Sequence, residues 1–494
     1  MSAGNFSRPA PTAMRTATIL HFLFALALFQ TPKAIGQQLN TTLLINGNVV
    51  DVETGKLRQQ AVLIEGDKIK ALGDYKTLSK KASKDTKRID CKGKYIIPGL
   101  WDMHVHLEGA ELVEDNALLL PVFLAYGITT IRDCASDLGE QVLAWRNDIN
   151  TRNIVGPTIF TAGRKLEGKN SIWKGDLEIE NETELNDMLN LLDKYKVDFV
   201  KITENTLGGE LFLKSVAAAH ARGYRVSGHV PIDLTISQLV DAGFTSVEHA
   251  GYLLRLGSDD EQITRDLTSG KITKAEAEQN YSSGFDRGVA LQKFTALGKK
   301  GLFVCPTFIG GRELAYLSET DHSKDMPLRF LTEKFVSNYQ WRIQRMSNET
   351  AEQRQQRKDR YLFLRNQLPL IHQSGIRIIA GSDAAALNTY VYPAESLIQE
   401  LEIFQEAGLK APDIMKTATI NGSKYFGIEK QVGTLTEGKQ ADLVVLDKNP
   451  LEDIRALRAI NGVMKFGNYY DRTSLDNILK SAEEKKTQLD RSRN

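Results

Sequence analysis

The sequence predicts an α/β fold: a (β/α)8 TIM-like barrel with a small β-sandwich domain built from both chain ends. Three observations carry that expectation. Through the middle of the chain, short apolar runs alternate with amphipathic helical stretches, the texture of βα units around a parallel sheet. Eight such runs stand there, the number a closed barrel uses. The two ends share another texture, short strand-like runs around Asn-Gly and Gly-Asp turn signals, which places them together in one sheet.

Composition sets the frame. Of 494 residues, 63 are basic and 62 acidic, 41% are hydrophobic and 25% charged, an ordinary globular balance. A net charge of +1 suits neither a strongly basic nucleic-acid binder nor an acidic disordered chain, so no nucleic-acid partner is expected. Cys91, Cys134 and Cys305 are too few and too widely spaced for a disulfide framework or a Cys-rich zinc site, and read as buried small apolar residues.

The elements follow in order. Arg8 and Arg15 precede an apolar run at residues 19–29, and Ala34-Ile35-Gly36 supplies a small-x-small cleavage signal. Residues 1–36 therefore read as a signal peptide and the protein as exported, periplasmic or secreted. The run falls short of the roughly 20 residues needed to span a bilayer, so no stable membrane insertion is expected after cleavage. Loss of Arg8, Arg15 and Lys33 moves the charge from +1 to −2. Residues 37–97 and 430–472 form the composite β domain, and residues 98–429 the barrel. Candidate barrel strands are residues 95–107, 128–134, 158–162, 199–203, 225–229, 246–249, 302–307 and 376–382. Residues 321–367 read as a charged helical excursion after the seventh strand, and 473–494 as a charged tail, a helix fraying into disorder.

The chemistry-bearing residues collect at strand ends. His104 and His106 are two apart at the end of the first strand, so both imidazoles face one side and reach one metal ion. Lys201 ends an apolar strand, where its plain reading is a lysine reaching from the rim to solvent. His229 follows 28 residues later and His249 20 after that, each interval about one βα unit. Asp383 ends the last strand. Barrel active sites occupy the C-terminal ends of strands, and six candidates stand there together.

Two motifs frame this set. Pro98-Gly99-Leu100-Trp101-Asp102-Met103-His104-Val105-His106 resembles the opening motif of the metal-dependent amidohydrolase superfamily. Gly433-Thr434-Leu435-Thr436-Glu437-Gly438-Lys439-Gln440-Ala441-Asp442-Leu443-Val444 resembles its closing one. Residues 43–472 are most similar to its imidazolonepropionase-like and Xaa-Pro dipeptidase-like group. The resemblance implies two divalent metal ions, zinc first among them. His104, His106 and Asp383 would hold the more buried ion, and His229 and His249 the more exposed one. Lys201 would carry a CO2-derived carbamate joining the two, since a protonated ammonium cannot ligate a cation. A hydroxide generated between the ions would attack a carbonyl, with Asp383 as proton acceptor and donor and His249 assisting at the carbonyl.

The expected function is hydrolysis of a C–N amide bond in a small molecule, a dipeptide or N-acyl amino acid. Alternatives are a cyclic amide hydrolase, a deaminase, and a non-catalytic barrel binding protein. The last predicts damage to at least one ligand, yet all six are present. Arg164, Trp173, Tyr252, Arg312, Tyr390 and Tyr392, on loops after the strands, are candidate substrate contacts, with Arg164 suited to a carboxylate. Gln399 stands where many relatives carry a His and reads as an altered contact near the site. Relatives are often oligomeric, so a homo-oligomer is compatible with the resemblance.

Overall fold

The structure, a computed structural model, describes residues 40–493. The signal segment expected at residues 1–36 lies outside the described residues.

Both ends of the described chain contribute to one eight-stranded sheet. Thr41–Asp51, Lys56–Glu65, Lys68–Gly73, Lys87–Asp90 and Tyr95–Pro98 come from the front, and Leu443–Leu446, Ile460–Lys465 and Asn468–Asp471 from the back. The join is the antiparallel pairing of Tyr95–Pro98 with Leu443–Leu446, Pro98 lying opposite Leu443. Side-chain alternation sorts the faces. Leu44, Val62, Ile64 and Leu443 pack in one buried cluster, whereas Leu43, Ala61 and Leu63 turn the other way onto Leu78 of helix Tyr75–Lys81. Where a two-sheet sandwich was expected, the strands run as one sheet with that helix against its second face.

The strand expected at 95–107 divides in two. At Gly99 the amide donates to Asp442 O, and a Cβ there would lie 2.1 Å from Thr129 Oγ1, so only glycine lets the chain cross at this point. Tyr95–Pro98 stays in the terminal sheet and Leu100–Val105 becomes the first central strand.

The other central strands are Ile128–Asp133, Thr158–Thr161, Val200–Ile202, Val226–Gly228, Phe244–Glu248, Phe303–Cys305 and Arg377–Ile378. Counting Leu100–Val105, all eight pair in parallel, Leu100–Val105, Ile128–Asp133 and Thr158–Thr161 in one sheet and the remaining five in another that also holds Leu166–Gly168 and Leu177–Ile179. Backbone bonds cross between the two sheets at both edges. Asp198 N donates to Thr161 O at one; Met103 N to Ala380 O and Asp383 N to His104 O meet at the other. Nearly every residue of these strands is buried, on both faces, because helices cover them. Helix Glu182–Tyr195 is typical: Asn181 caps it through Glu184 N, and Leu185, Leu189 and Leu192 turn inward.

Two insertions rise over the C-terminal ends of the strands. Asp260–Thr268 and Lys274–Ser283 precede the seventh strand, an excursion that periodicity alone did not separate from ordinary βα units. The second lies after that strand, as expected, and includes Glu333–Ser337, Gln340–Met346 and Ala351–Arg365. The tail does not fray: Arg472–Arg493 is one helix, and Arg493 Nη2 lies 2.7 Å from Oδ2 of buried Asp115. Its buried Leu475 and Ala482 and this terminal ion pair hold it against the body. Cys91, Cys134 and Cys305 are free and buried. No helix among the described residues is long and apolar enough to cross a membrane.

Candidate active site

The strand ends bring the six predicted residues to one place. His104 Nε2 and His106 Nε2 lie 3.2 Å apart, and Asp383 Oδ1 is 3.3 Å from each. The His249 ring sits between those of His104 and His229, with centroid separations of 5.1 and 5.0 Å. His106, Lys201, His229, His249 and Asp383 all line a cavity of about 420 Å³. His249 and Asp383 hold left-handed backbone, φ 68° and 59°, an uncommon conformation for residues other than glycine and one that clusters at functional sites. Gly381 lets the last strand approach the first, since a Cβ there would meet His104 Cβ at 2.7 Å.

Each imidazole is oriented by what its Nδ1 touches. His104 Nδ1 lies 2.9 Å from Glu248 Oε2, and His106 Nδ1 2.8 Å from the Ala135 carbonyl. His229 Nδ1 is 2.9 Å from Glu204 Oε2, and His249 Nδ1 2.7 Å from Thr307 Oγ1. The Thr307 hydroxyl donates to the Pro306 carbonyl, so its oxygen accepts from His249. Every partner is an acceptor, which puts the proton of each neutral ring on Nδ1 and leaves Nε2 as the nitrogen to ligate. Burial lowers His104 to about 4 and keeps His249 well below its ordinary value, so both rings are neutral at pH 7. Burial works to raise Asp383, but the surrounding imidazoles outweigh it and hold the carboxyl well below its usual range.

These donors fit divalent metal ions. Four imidazole nitrogens and a carboxylate are suitable ligands, and the partners behind them are the supports that metal-ligating histidines use. Among the described residues two groups are spaced to hold an ion, His104 with His249 and Asp383, and His104 with Cys134 and Glu248. The second is engaged already, because Arg132 Nη2 lies 2.7 Å from Glu248 Oε2. Lys201 is 2% exposed, and among the described residues no carboxylate lies within ion-pair distance of it. A buried ammonium without a counter-charge is costly, and carboxylation of the amine would replace it with an anion that bound metal ions would neutralise.

The other predicted contacts divide. Trp173 lines the cavity, and Lys165, 5.7 Å above its ring, lines it too. Tyr252 lies beside the site, stacked on His229 and donating to Glu204 Oε1 at 2.6 Å. Arg164 turns away toward Gly139 and Glu140, its neighbour Lys165 taking the inward position. Arg312 pairs with adjacent Glu313 on a helix outside the cavity. Tyr390 stacks on His322 and Tyr392 donates to Asp325 Oδ2, so both anchor the excursion instead of facing substrate. Gln399 accepts from Ser396 and faces a separate cavity beside Tyr126 and Arg458. Sequence reasoning missed Glu204, Glu248 and Thr307, although all three stand at or just beyond strand ends, and it missed Arg342, which lines the same cavity.

Comparison with known proteins agrees with this geometry. The amidohydrolase family profile matches residues 95–470, and the chain belongs to that family. An adenine deaminase from Thermosipho africanus is 27% identical over 284 residues, 54% of this chain but only 43% of the deaminase. A dihydroorotase from Geobacter metallireducens is 24% identical over 415 residues, 82% of this chain and 89% of that one. Among solved structures, a Xaa-Pro dipeptidase with methionine bound in its active site superposes with a TM-score of 0.63 at 20% identity. That likeness covers 87% of this chain and 100% of the dipeptidase, and it concerns the fold.

Proposed function

We propose that this chain is a binuclear metal-dependent hydrolase that cleaves a C–N amide bond in a small substrate, a dipeptide or N-acyl amino acid. The carrying observation is that all four imidazoles have Nδ1 against an acceptor, that His106, His229 and His249 line one cavity with Lys201 and Asp383, and that His104 Nε2 lies 3.3 Å from Asp383 beside them. His104, His106 and Asp383 would hold one ion and His229 and His249 the other, with Lys201, carboxylated by CO2, joining them. When bound, the ions supply an acidified water and polarise the scissile carbonyl, zinc being the first choice for nitrogen-rich ligands. Asp383 accepts the proton of the attacking water and returns it to the leaving nitrogen. Trp173 and, from the second insertion, Asn338 and Arg342 wall the cavity.

The strands, by this reading, form a closed (β/α)8 barrel over residues 98–429, supported by the backbone bonds that cross both sheet edges. Residues 37–97 and 430–472 form the composite domain. The protein is exported, a reading that rests on the order of charge and apolar residues in 1–36.

The test is to express residues 37–494, supply zinc and bicarbonate, and screen dipeptides and N-acyl amino acids for released amine. Turnover that Asp383→Asn loses supports the reading. Failure on every linear amide despite bound metal overturns it in favour of cyclic amides or deamination, the chemistry named for the sequence relatives; ammonia release separates those two.

A further inference from the structure

The helical excursion after the seventh central strand delivers one cation to the site. Arg342, on helix Gln340–Met346, lines both the metal-site cavity and an adjoining chamber of about 310 Å³, and His249, Asp383 and Asn388 line the same two spaces. Its guanidinium is partly buried and makes one hydrogen bond, Nη2 to Asn388 Oδ1 at 2.6 Å. Its Nε is buried with no acceptor. Among the described residues no carboxylate lies within ion-pair distance of it; Asp383 and Glu108 are the acids that face it from farther off.

The other cations around these two spaces are committed or exposed. Lys165 is 2.6 Å from Asp176, Arg357 pairs with Glu349, and Lys174 and Arg360 are exposed. Lys201 is assigned to the metals. The placement of Arg342 is built by its neighbours. Trp341 Nε1 donates to Leu387 O at 2.9 Å, and Thr389 Oγ1 donates to Tyr339 O at 3.0 Å. Asn388 Nδ2 donates in turn to the Asp383 carbonyl at 2.6 Å. The helix is thus fastened to the loop that follows Asp383. Beside the guanidinium, Phe308, Leu314, Leu364 and Val391 make the chamber wall largely apolar.

We propose that Arg342 holds a free carboxylate of the substrate while an apolar group next to that carboxylate fills the chamber. A planar guanidinium with unused N–H groups matches a carboxylate in two-point geometry, and a partly desolvated site strengthens the pair. The substrate class is then an acylated amino acid or dipeptide with an apolar residue on the carboxylate side of the scissile bond. The inference rests on the amide-hydrolase reading for the reaction, but the carboxylate site is tested separately from it.

Calorimetric titration of the zinc-loaded protein with N-acetyl-L-leucine and with N-acetyl-L-leucinamide reads the site without turnover. The free acid binds more tightly than the amide, and Arg342→Gln weakens the acid roughly 100-fold while leaving the amide unchanged. Arg342→Lys recovers part of the difference, and unchanged melting temperatures show that both variants fold. Where turnover is found, kcat/KM on acid and amide changes in the same pattern. Equal binding of acid and amide by the unaltered protein, or no binding of either, overturns the proposal. So does a preference for the acid that survives in Arg342→Gln, since the metals would then be taking the carboxylate. Acid preference lost with Arg342, without hydrolysis of any amide, leaves the carboxylate site standing and removes the amide-hydrolase reading alone.

Discussion

Glu248 accepts a hydrogen bond from His104 across 144 residues of chain, its Oε2 2.9 Å from Nδ1, both side chains wholly buried. The same oxygen lies 2.7 Å from Arg132 Nη2. Burial pushes the Glu248 carboxyl up, but Arg132 and His104 outweigh it and keep it ionised. One carboxylate therefore fixes the His104 tautomer and neutralises a buried guanidinium. Glu248→Gln is expected to lower metal affinity by about 10–100-fold. It also leaves Arg132 without its counter-charge, at about 3–5 kcal/mol in stability. Adding Arg132→Met recovers stability but not affinity. Equilibrium dialysis and urea unfolding measure the two separately.

Metal removal gives a second prediction. Chelated protein resupplied with zinc in CO2-free buffer regains little activity, and bicarbonate restores it, because Lys201 as an ammonium repels the second ion. Lys201→Gln retains its melting temperature as metal-free protein, takes up less metal and ignores bicarbonate. Metal content and turnover against bicarbonate concentration check this. Equal recovery with and without bicarbonate would remove the carbamate from the scheme.

Glu400 supplies a pH dependence. It is wholly buried and accepts from Phe308 N at 2.9 Å and Ile309 N at 2.7 Å. Burial raises its carboxyl from 4.5 to about 8, the two amides pulling the other way. The folded chain thus keeps a proton that the unfolded chain has released. Stability from this group is complete below about 4.5 and is lost as the pH rises toward 8, by about 1.4 kcal/mol per unit. Urea midpoints from pH 5 to 8 should fall more steeply for the unaltered protein than for Glu400→Gln.

The end of the chain is held by charge. Arg493 donates to Asp115 at 2.7 Å, and the Thr332 hydroxyl donates to the same carboxylate, joining tail, body and excursion. Arg493→Met takes two N–H donors from buried Asp115 and should cost about 1–3 kcal/mol. Asp115→Asn in the same chain reduces that loss. Denaturant unfolding of the single and double variants reads the coupling.

The sequence displayed the ligands better than their supports. His104, His106, Lys201, His229, His249 and Asp383 each end an apolar run, and strand geometry turns that position into a shared face. Glu204 and Thr307 were hidden because the loops that aim them have no period to read. Arg342 was less legible still, on a charged helix that looks like any solvated surface until its docking on Leu387 and Asn388 is seen. Arg164 and the tyrosines misled for the same reason: a place in the right loop says nothing of which way a side chain turns. The terminal sheet was readable from shared texture at both ends, but its continuity depends on the pairing of Pro98 with Leu443, which no local pattern encodes.

That pairing also orders events in time. Lys94 meets Asp447 across 353 residues, and until that stretch is made Tyr95–Pro98 has a strand on one side only. At usual synthesis rates the wait is roughly 20–70 s. An apolar strand with an open edge for so long is where a wrong partner would pair or a holding factor would bind. A strand from the last stretch of chain to be made is the one that shields Tyr95–Pro98.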